Sequence, residues 1–526
     1  NLKLANGASF SIDAAQRMQF LGSVRTEGGD ISLSAMSLIF GEKPVLDTRG
    51  SWYSDYEFDQ NVAIAPVPRI DGGSISIAGL GVPEGGISDV RLVMPNAMTI
   101  DASGGAWVDR NGILKGGKGG DLSVIIGNVT DVQTEALNQA RAYGLGGNGK
   151  FSFTLAKNIF IGDALPETSP ETSKSWLLLK PDFFANSGFS SIGLMTSGSL
   201  QIGKGVEVRA NSAALQLKQS SLLNAVPSSY YAPSGTDIYE IADIVNLTPA
   251  QRETRLIDGM DISLSANSIL ISKGSLFATE ALGSLSLMAG KIDVAGSLVA
   301  PAGMIALSSA NTATGTVIIR DTGKLLAQGA VRVTSRGVDS MGNETIDGQV
   351  LNGGAIQLRV GNLTVEKGGV LDVSGTSARF HRAARTDTDN IVLMPTTLAS
   401  NGGSISLDGV NVDIDNGTYL ATAGGAGGKG GALSISIGQN SFSAVWPGGA
   451  TTAPRASSSA ASALSQLSLS RPASGRSPGC GLTTWLTPGQ CCCMVSIRAS
   501  TLWFCSAGGP KLNGSPCSAA SADSRA

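Results

Sequence analysis

Four short motifs, one histidine and five aspartates are the residues here whose types and spacing could do chemistry. Gly144-Leu-Gly146-Gly147-Asn-Gly149 satisfies GxGxxG, which lets a backbone approach a pyrophosphate. A helix-like stretch precedes it and a strand follows, the reverse of a dinucleotide fold, so it reads as a corner. Gly112–Lys118 (GILKGGK) matches the start of a phosphate-binding loop, but Gly119 stands where the Mg²⁺-ligating Ser or Thr belongs. Gly116–Asp121 (GGKGGD) imitates one calcium-binding nonapeptide turn. The apolar residue expected two after the Asp is Ser123, and the sister copy Gly427–Ala432 (GGKGGA) has no carboxylate. Gly475–Gly479 (GRSPG) fits a nucleophile elbow with no strand before it. His381, the one histidine of 526 residues, lies in ARFHRAAR and is expected to be a solvated loop residue. Asp101, Asp121, Asp293, Asp321 and Asp372 could be the acid and base of a carbohydrate-active enzyme. They fall at scattered positions and not as a repeated pair, so they read as solvated corner carboxylates. No catalytic, cofactor-binding or metal-ligating residue is assigned, and no cofactor is implied.

The glycines in these motifs belong to a larger pattern. Ten times a glycine is followed by one free residue and then two apolar residues flanking a small or polar one. The copies begin at Gly29, Gly73, Gly120, Gly149, Gly283, Gly303, Gly329, Gly354, Gly403 and Gly431, and Gly259 opens an eleventh loosened by one residue. Glycine permits a corner, and the triplet is a strand with one face in and one out. Successive copies lie 44, 47, 29, 134, 20, 26, 25, 49 and 28 residues apart. Periods of this order signal stacked repeats, and gaps near twice 20–28 are expected where a coil has a degenerate corner. The clearest turn, Gly283–Ala302, holds three strand-like pieces (Leu285–Leu287, Ile292–Val294, Leu298–Val299) joined by small residues. Three short strands per turn describe an all-β, right-handed parallel β-helix, rising roughly 4.8 Å per coil. Leucine-rich repeats need a fixed Asn or Cys that does not recur, and propellers need an aromatic signature. Sixty-nine glycines exclude a helical solenoid.

Residues 1–450 therefore read as a rod with three excursions. Asp131–Tyr143 is expected to be a helix between coils. Residues 163–190 carry proline, charge and aromatics, and 217–258 contain Tyr230-Tyr231 and Thr248-Pro249, an N-cap and N1 proline opening a short helix. Such loops cover an edge of the rod or bind a partner. From Thr451 the composition changes. All six cysteines lie beyond it, and its six basic residues meet one acid, leaving −8 on the body and +5 on the tail. Three adjacent cysteines (Cys491–Cys493) argue against a disulfide framework, and neither Cys-x-x-Cys nor a histidine partner supports a metal site. Residues 451–526 are read as an alternate-frame translation of GC-rich DNA, with a genuine disordered tail and a cysteine module as the rivals. The net charge of −3 suggests no nucleic-acid partner, and no apolar run of about 18 residues marks a transmembrane helix. The chain opens Asn-Leu-Lys without Met, so residue 1 is expected to be a cut within a longer polypeptide.

The G-G-x-I-S-L strand starts, the glycine strings 116–127 and 421–438, the units LDTRGSW (46–52) and IDASGGAW (100–107), and PDFFANSGFSSIGL (181–194) carry a resemblance. Over about residues 20–450 the chain resembles the filamentous haemagglutinin family, the large exoproteins of bacterial two-partner secretion. The resemblance implies an interior rod segment, exported by an outer-membrane transporter partner to lie secreted or at the cell surface. It implies adhesion to a host or neighbouring-cell receptor or glycan; the single histidine and scattered aspartates separately lead to the expectation of no enzyme activity. The family's N-terminal secretion domain with its Asn-Pro-Asn-type motifs has no counterpart here. A stalk presenting a distal toxin, as in contact-dependent inhibition, and a carbohydrate-active β-helix enzyme are the alternatives.

Overall fold

Glycine corners and alternating triplets predict strands, and the computed structural model is an all-β chain. It describes residues 1–56, 69–81, 90–129, 131–165, 176–211, 213–218, 236–245, 257–339, 342–385, 391–414, 417–437, 440–445, 482–487, 490–497 and 500–506. Among them, helix is confined to a 3₁₀ turn, Glu135–Gln139, and two four-residue helices, Phe183–Asn186 and Ile238–Ile241.

The strands pair in parallel, each with one a turn further along the chain. Ile31 faces Ile75, Ile75 faces Leu122, and Leu122 faces Phe151. Farther on, Ile262 faces Leu285, Leu285 faces Ile305, Ile305 faces Ile356, and Ile356 faces Ile405. Twelve rungs run from Phe10–Phe20 to Ala432–Ile437 without an antiparallel pairing between them. A second, six-stranded parallel sheet takes the later strand of each turn from Glu207–Ala210 to Thr418–Leu420. Apolar residues point inward at period two: Leu285, Leu287, Ile292 and Val294 are fully buried, while Ser286 is half-exposed. One continuous apolar cluster fills the interior from Met18 to Ile435.

The glycine starts mark rungs with one exception. Gly329 opens Val331–Val338, which leaves the stack and pairs antiparallel with Glu344–Val350. The long gaps also have a different origin from the one expected. The step from Ile305 to Ile356 is one coil that carries the hairpin 331–350. The step from Ile356 to Ile405 is one coil that carries a second hairpin, Ser377–Arg385 with Ile391–Ala399. A degenerate corner is therefore not what doubles the spacing. The hairpin leaves and rejoins at corners, so the register of the rungs on either side is undisturbed.

The excursions are more fully absorbed than the sequence suggested. Asp131–Tyr143 is not a helix: Asp131–Gln133 is a strand parallel to Arg91–Val93, and only Glu135–Gln139 coils. The coil buries Ala136 and Leu137, and Ala140 resumes an extended backbone. Within 163–190, Trp176–Leu179 pairs with Asn158–Ile161 as a regular rung. Phe183 and Phe189 then enter the core, with ring centroids 4.9 and 5.3 Å from that of Phe151. Thr248-Pro249 lies outside the described residues. At the far end, Asn440–Val445 folds back antiparallel on Ala432–Ile437. In the tail, expected to lack regular structure, Leu482–Thr487, Gln490–Ile497 and Ser500–Ser506 form a local antiparallel sheet. The rest of 451–526, GRSPG included, lies outside the described residues.

Candidate functional site

The residues singled out for chemistry are dispersed by the fold. Gly144–Gly149 is a turn leading into the strand Gly149–Leu155. Gly112 has φ +79° at a hairpin tip and Leu114–Gly116 is that hairpin's outer strand, so no helix follows to receive a phosphate. The Asp121 carboxylate accepts the Lys150 amide of the next coil at 3.0 Å, a bond that ties coils together. Among the described residues no three His, Cys, Asp or Glu side chains are grouped to hold a metal ion. His381 is not a solvated loop residue: it lies half-buried in Ser377–Arg385, and its Nδ1 accepts the Ile346 amide at 3.0 Å.

The carboxylates divide. Asp293 lies beside Arg320, which also holds Glu366, at 2.8 and 2.5 Å from Asp293 and 2.8 Å from Glu366, a charged row across three rungs. Asp321 stays exposed, its amide donating to Glu366 at 3.2 Å. Asp101 and Asp372 are buried, contrary to the expectation of solvated corners. Together with Asp47 they share one local device. Each carboxylate accepts the amide two residues on, from Arg49, Ser103 and Ser374, at 3.1, 3.0 and 2.8 Å. This is the Asx turn, in which a short acidic side chain replaces a backbone acceptor at a bend. The two units with tryptophan were visible in the sequence, and the third, Asp372-Val-Ser374-Gly375, lacks that marker.

At the first two of these corners the fold gathers a buried polar cluster. After Gly50 and Gly105 the chain leaves the stack as Ser51–Ser54 and Ala106–Val108, which pair in parallel. Leu114–Gly116 flanks them on one side and Thr236–Asp237, from the third excursion, on the other. Arg49 makes a two-pronged contact with Asp47 at 2.9 and 2.7 Å, and its Nη1 lies 2.7 Å from both oxygens of Asp237. Its guanidinium also sits over the Tyr239 ring, 5.3 Å from the centroid. The Tyr143 amide donates to Ser103 Oγ at 3.1 Å, Ser103 lies 2.9 Å from the Tyr239 hydroxyl, and that hydroxyl donates to Asp101 at 3.0 Å.

Burial controls the electrostatics. It pushes the Asp101 carboxyl up, against the opposing pull of the Arg49 charge and the Ser103 bonds. It raises the Tyr239 hydroxyl, aided by the Asp101 charge, and pushes Tyr143 up to about 12. Burial acts to lower Arg49, but the hydrogen bonds and charges of Asp47, Asp101 and Asp237 outweigh it and hold the guanidinium above its usual range. Both Asp101 oxygens are occupied by donors within the chain. Chemically the cluster fastens one part of the chain to another. Sequence reasoning missed Arg49, Asp47, Asp237 and Tyr239, because the two halves lie 188 residues apart.

Elsewhere an open groove of about 610 Å³ lies over stacked corners, floored by Gly303, Gly354, Gly403 and Gly431. Asn352 and Asn401 line it, and each accepts the amide of the following coil, at 3.0 and 2.8 Å. No helix among the described residues is long and apolar enough to cross a membrane. Comparison with known proteins yields no matching family model, no matching curated protein and no matching solved structure.

Proposed function

We propose that this chain is a stretch of right-handed parallel β-helix serving as a structural and adhesive rod of the filamentous haemagglutinin type. The observation that carries the reading is coil-on-coil parallel register, held across twelve rungs around one continuous apolar filling. Such a stack extends by adding coils and offers repeated outward faces in place of a pocket. At about 4.8 Å per rung the twelve rungs span roughly 60 Å. The reading includes export through an outer-membrane two-partner-secretion transporter to the cell surface or medium, without catalysis. A body with no cysteine before Cys480 suits threading a pore unfolded and coiling outside.

Electron microscopy of the purified chain, with binding of chain-coated beads to host cells and to a glycan panel, tests it. Elongated particles and bead adhesion above that of albumin-coated beads are expected. Round particles would remove the rod, and beads that adhere no better than albumin would remove the adhesive role. Depolymerisation of an acidic polysaccharide by the purified chain would overturn the non-catalytic reading.

A further inference from the structure

Strand alternation sends every second side chain of a rung outward, and parallel register lines those side chains up in columns along the stack. Over the six rungs from Leu122–Asn128 to Met304–Ser308 one outward column reads Ile125, Thr154, Met195, Ser265, Met288, Ser308. The column beside it reads Ser123, Ser152, Gly193, Ser263, Ser286, Ala306. Neither column carries a charge. Ile125, Met195 and Met288 are 41, 50 and 42% exposed, so their own stack leaves these three large apolar side chains uncovered. Each stands two rungs from the next, and the residues between and beside them are small. The face therefore alternates a knob with a gap at every rung.

We propose that this face is an interface between two copies of the chain, packed sheet to sheet with their stacks antiparallel about a two-fold axis between the rungs of Met195 and Ser265. A two-fold interface must be self-complementary, and this alternation is. Reversing the column sets Ile125 opposite Ser308, Met288 opposite Thr154, and Met195 opposite Ser265 of the second copy. Every knob meets a gap. The neighbouring column sets serine, glycine and alanine against one another, which lets the two sheets close.

Charge fits the same arrangement. The outward column on the rim holds Asp121, Lys150 and Asp261, which reversal places opposite Met304, Ser284 and Ser191. Farther from the axis, Arg359 falls opposite Ala78, Asp408 opposite Ser34, and Asp13 opposite Ser436. In these three columns no like charges meet along the twelve rungs, as a matched interface requires. A two-fold axis along the stacks would instead bring the charged column over the apolar one. At about 4.8 Å per rung and about 3.3 Å per residue, six rungs of five residues make a face of roughly 29 by 17 Å, about 500 Å² on each copy. Two such faces bury on the order of 1,000 Å², the lower edge for a specific interface, so dimerisation is weak and concentration-dependent. The dimer rests on rung register and is independent of the adhesive reading.

Sedimentation velocity of the full chain, with its cysteines kept reduced and its concentration taken from about 0.1 to about 100 μM, tests the interface. A monomer–dimer equilibrium in the micromolar range is expected. Thr154→Lys and Met288→Glu fall three rungs apart in one chain, roughly 14 Å, too far to pair within it. Across the axis they stand opposite each other. Each alone should weaken dimerisation about thirtyfold or more, because it sets an unpaired charge in the contact. Both should keep the urea midpoint of the unaltered chain, since both side chains face outward from the single stack. Mixed in equal amounts, the two variants should form a heterodimer within about tenfold of the unaltered affinity, its lysine meeting its glutamate. An unaltered chain that stays monomeric at the highest concentration overturns the proposal without reference to any variant. A dimer that either variant leaves intact lies elsewhere on the molecule and also overturns it. Loss in both variants with no recovery on mixing would refute the antiparallel axis.

Discussion

A Cβ on Gly354 would stand 2.0 Å from the Gly303 carbonyl oxygen, and one on Gly403 would stand 1.9 Å from that of Gly354. The glycine at a rung start is therefore required by the coil beneath it, and not by an unusual φ. Gly354→Ala should cost about 3 kcal/mol or more in urea denaturation, because the clash is with backbone that cannot step aside. Gly342, at a hairpin tip with φ +84° and nothing near its added Cβ, is the contrast. Gly342→Ala should cost only about 1 kcal/mol, the strain of a left-handed alanine. Equal losses would refute the steric account. Asp372→Ala should cost about 2 kcal/mol in the same assay, since the Ser374 amide and the Gln328 side chain, bonded at 2.8 and 2.5 Å, both lose their acceptor. The glycines were legible because their demand is local and repeats. The aspartates were not: Asp-x-x-Gly reads the same whether the carboxylate faces solvent, a ligand or its own backbone. Arg49 paired with Asp237 leaves no trace of any kind in local sequence.

Strands that stack and strands that leave the stack look alike as elements. Val331–Val338 follows Gly329 and opens with the same apolar–polar–apolar triplet as a rung, Val331-Arg332-Val333, yet it belongs to a side hairpin. The all-β character and the inward register were legible, because burial at period two is a property of each strand alone. Which strands pair with which was not, because antiparallel hairpins obey the same alternation. Two substitutions test the register in one strand. Leu287→Asp, which buries a charge, should unfold its rung and cost more than about 4 kcal/mol, whereas Ser286→Asp should change stability by less than about 0.5 kcal/mol. Comparable losses in denaturation would mean that the faces are assigned backwards. The two side hairpins pack on each other through Phe380, buried against Gly348, and through Arg382, 3.0 Å from Asp347. Phe380→Ala should raise exchange in Glu344–Val350 about a hundredfold, the effect of losing a buried ring, and leave Ala355–Val365 unchanged. Faster exchange in that rung as well would show that the hairpins support the stack.

At the scale of the molecule, the proposed rod predicts a stability that is a sum over neighbouring coils, because in such a stack no single turn covers its own apolar face. The rungs are also unequally supported. Among the described residues Phe10–Phe20 pairs with one strand, Ile31–Phe40, and much of its length is exposed. Ser284–Val294 lies between Asp261–Ile271 and the pair Met304–Ser308 and Thr316–Ile319, with a fully buried inner face. Ala432–Ile437 is covered by the antiparallel strand Asn440–Val445. Native-state hydrogen exchange should therefore be graded: fastest at Phe10–Phe20, slowest in the rungs Asp261–Ile271, Ser284–Val294 and Met304–Ser308, and intermediate at Ala432–Ile437. The gradient should also respond locally to damage. Leu287→Asp should accelerate Asp261–Ile271 and Met304–Ser308 far more than Ser404–Ile414, because coupling decays with each coil between the lesion and the probe. If every rung instead exchanges at one rate, in the unaltered chain and in the variant alike, the molecule unfolds as a single block and nearest-neighbour additivity is wrong for it.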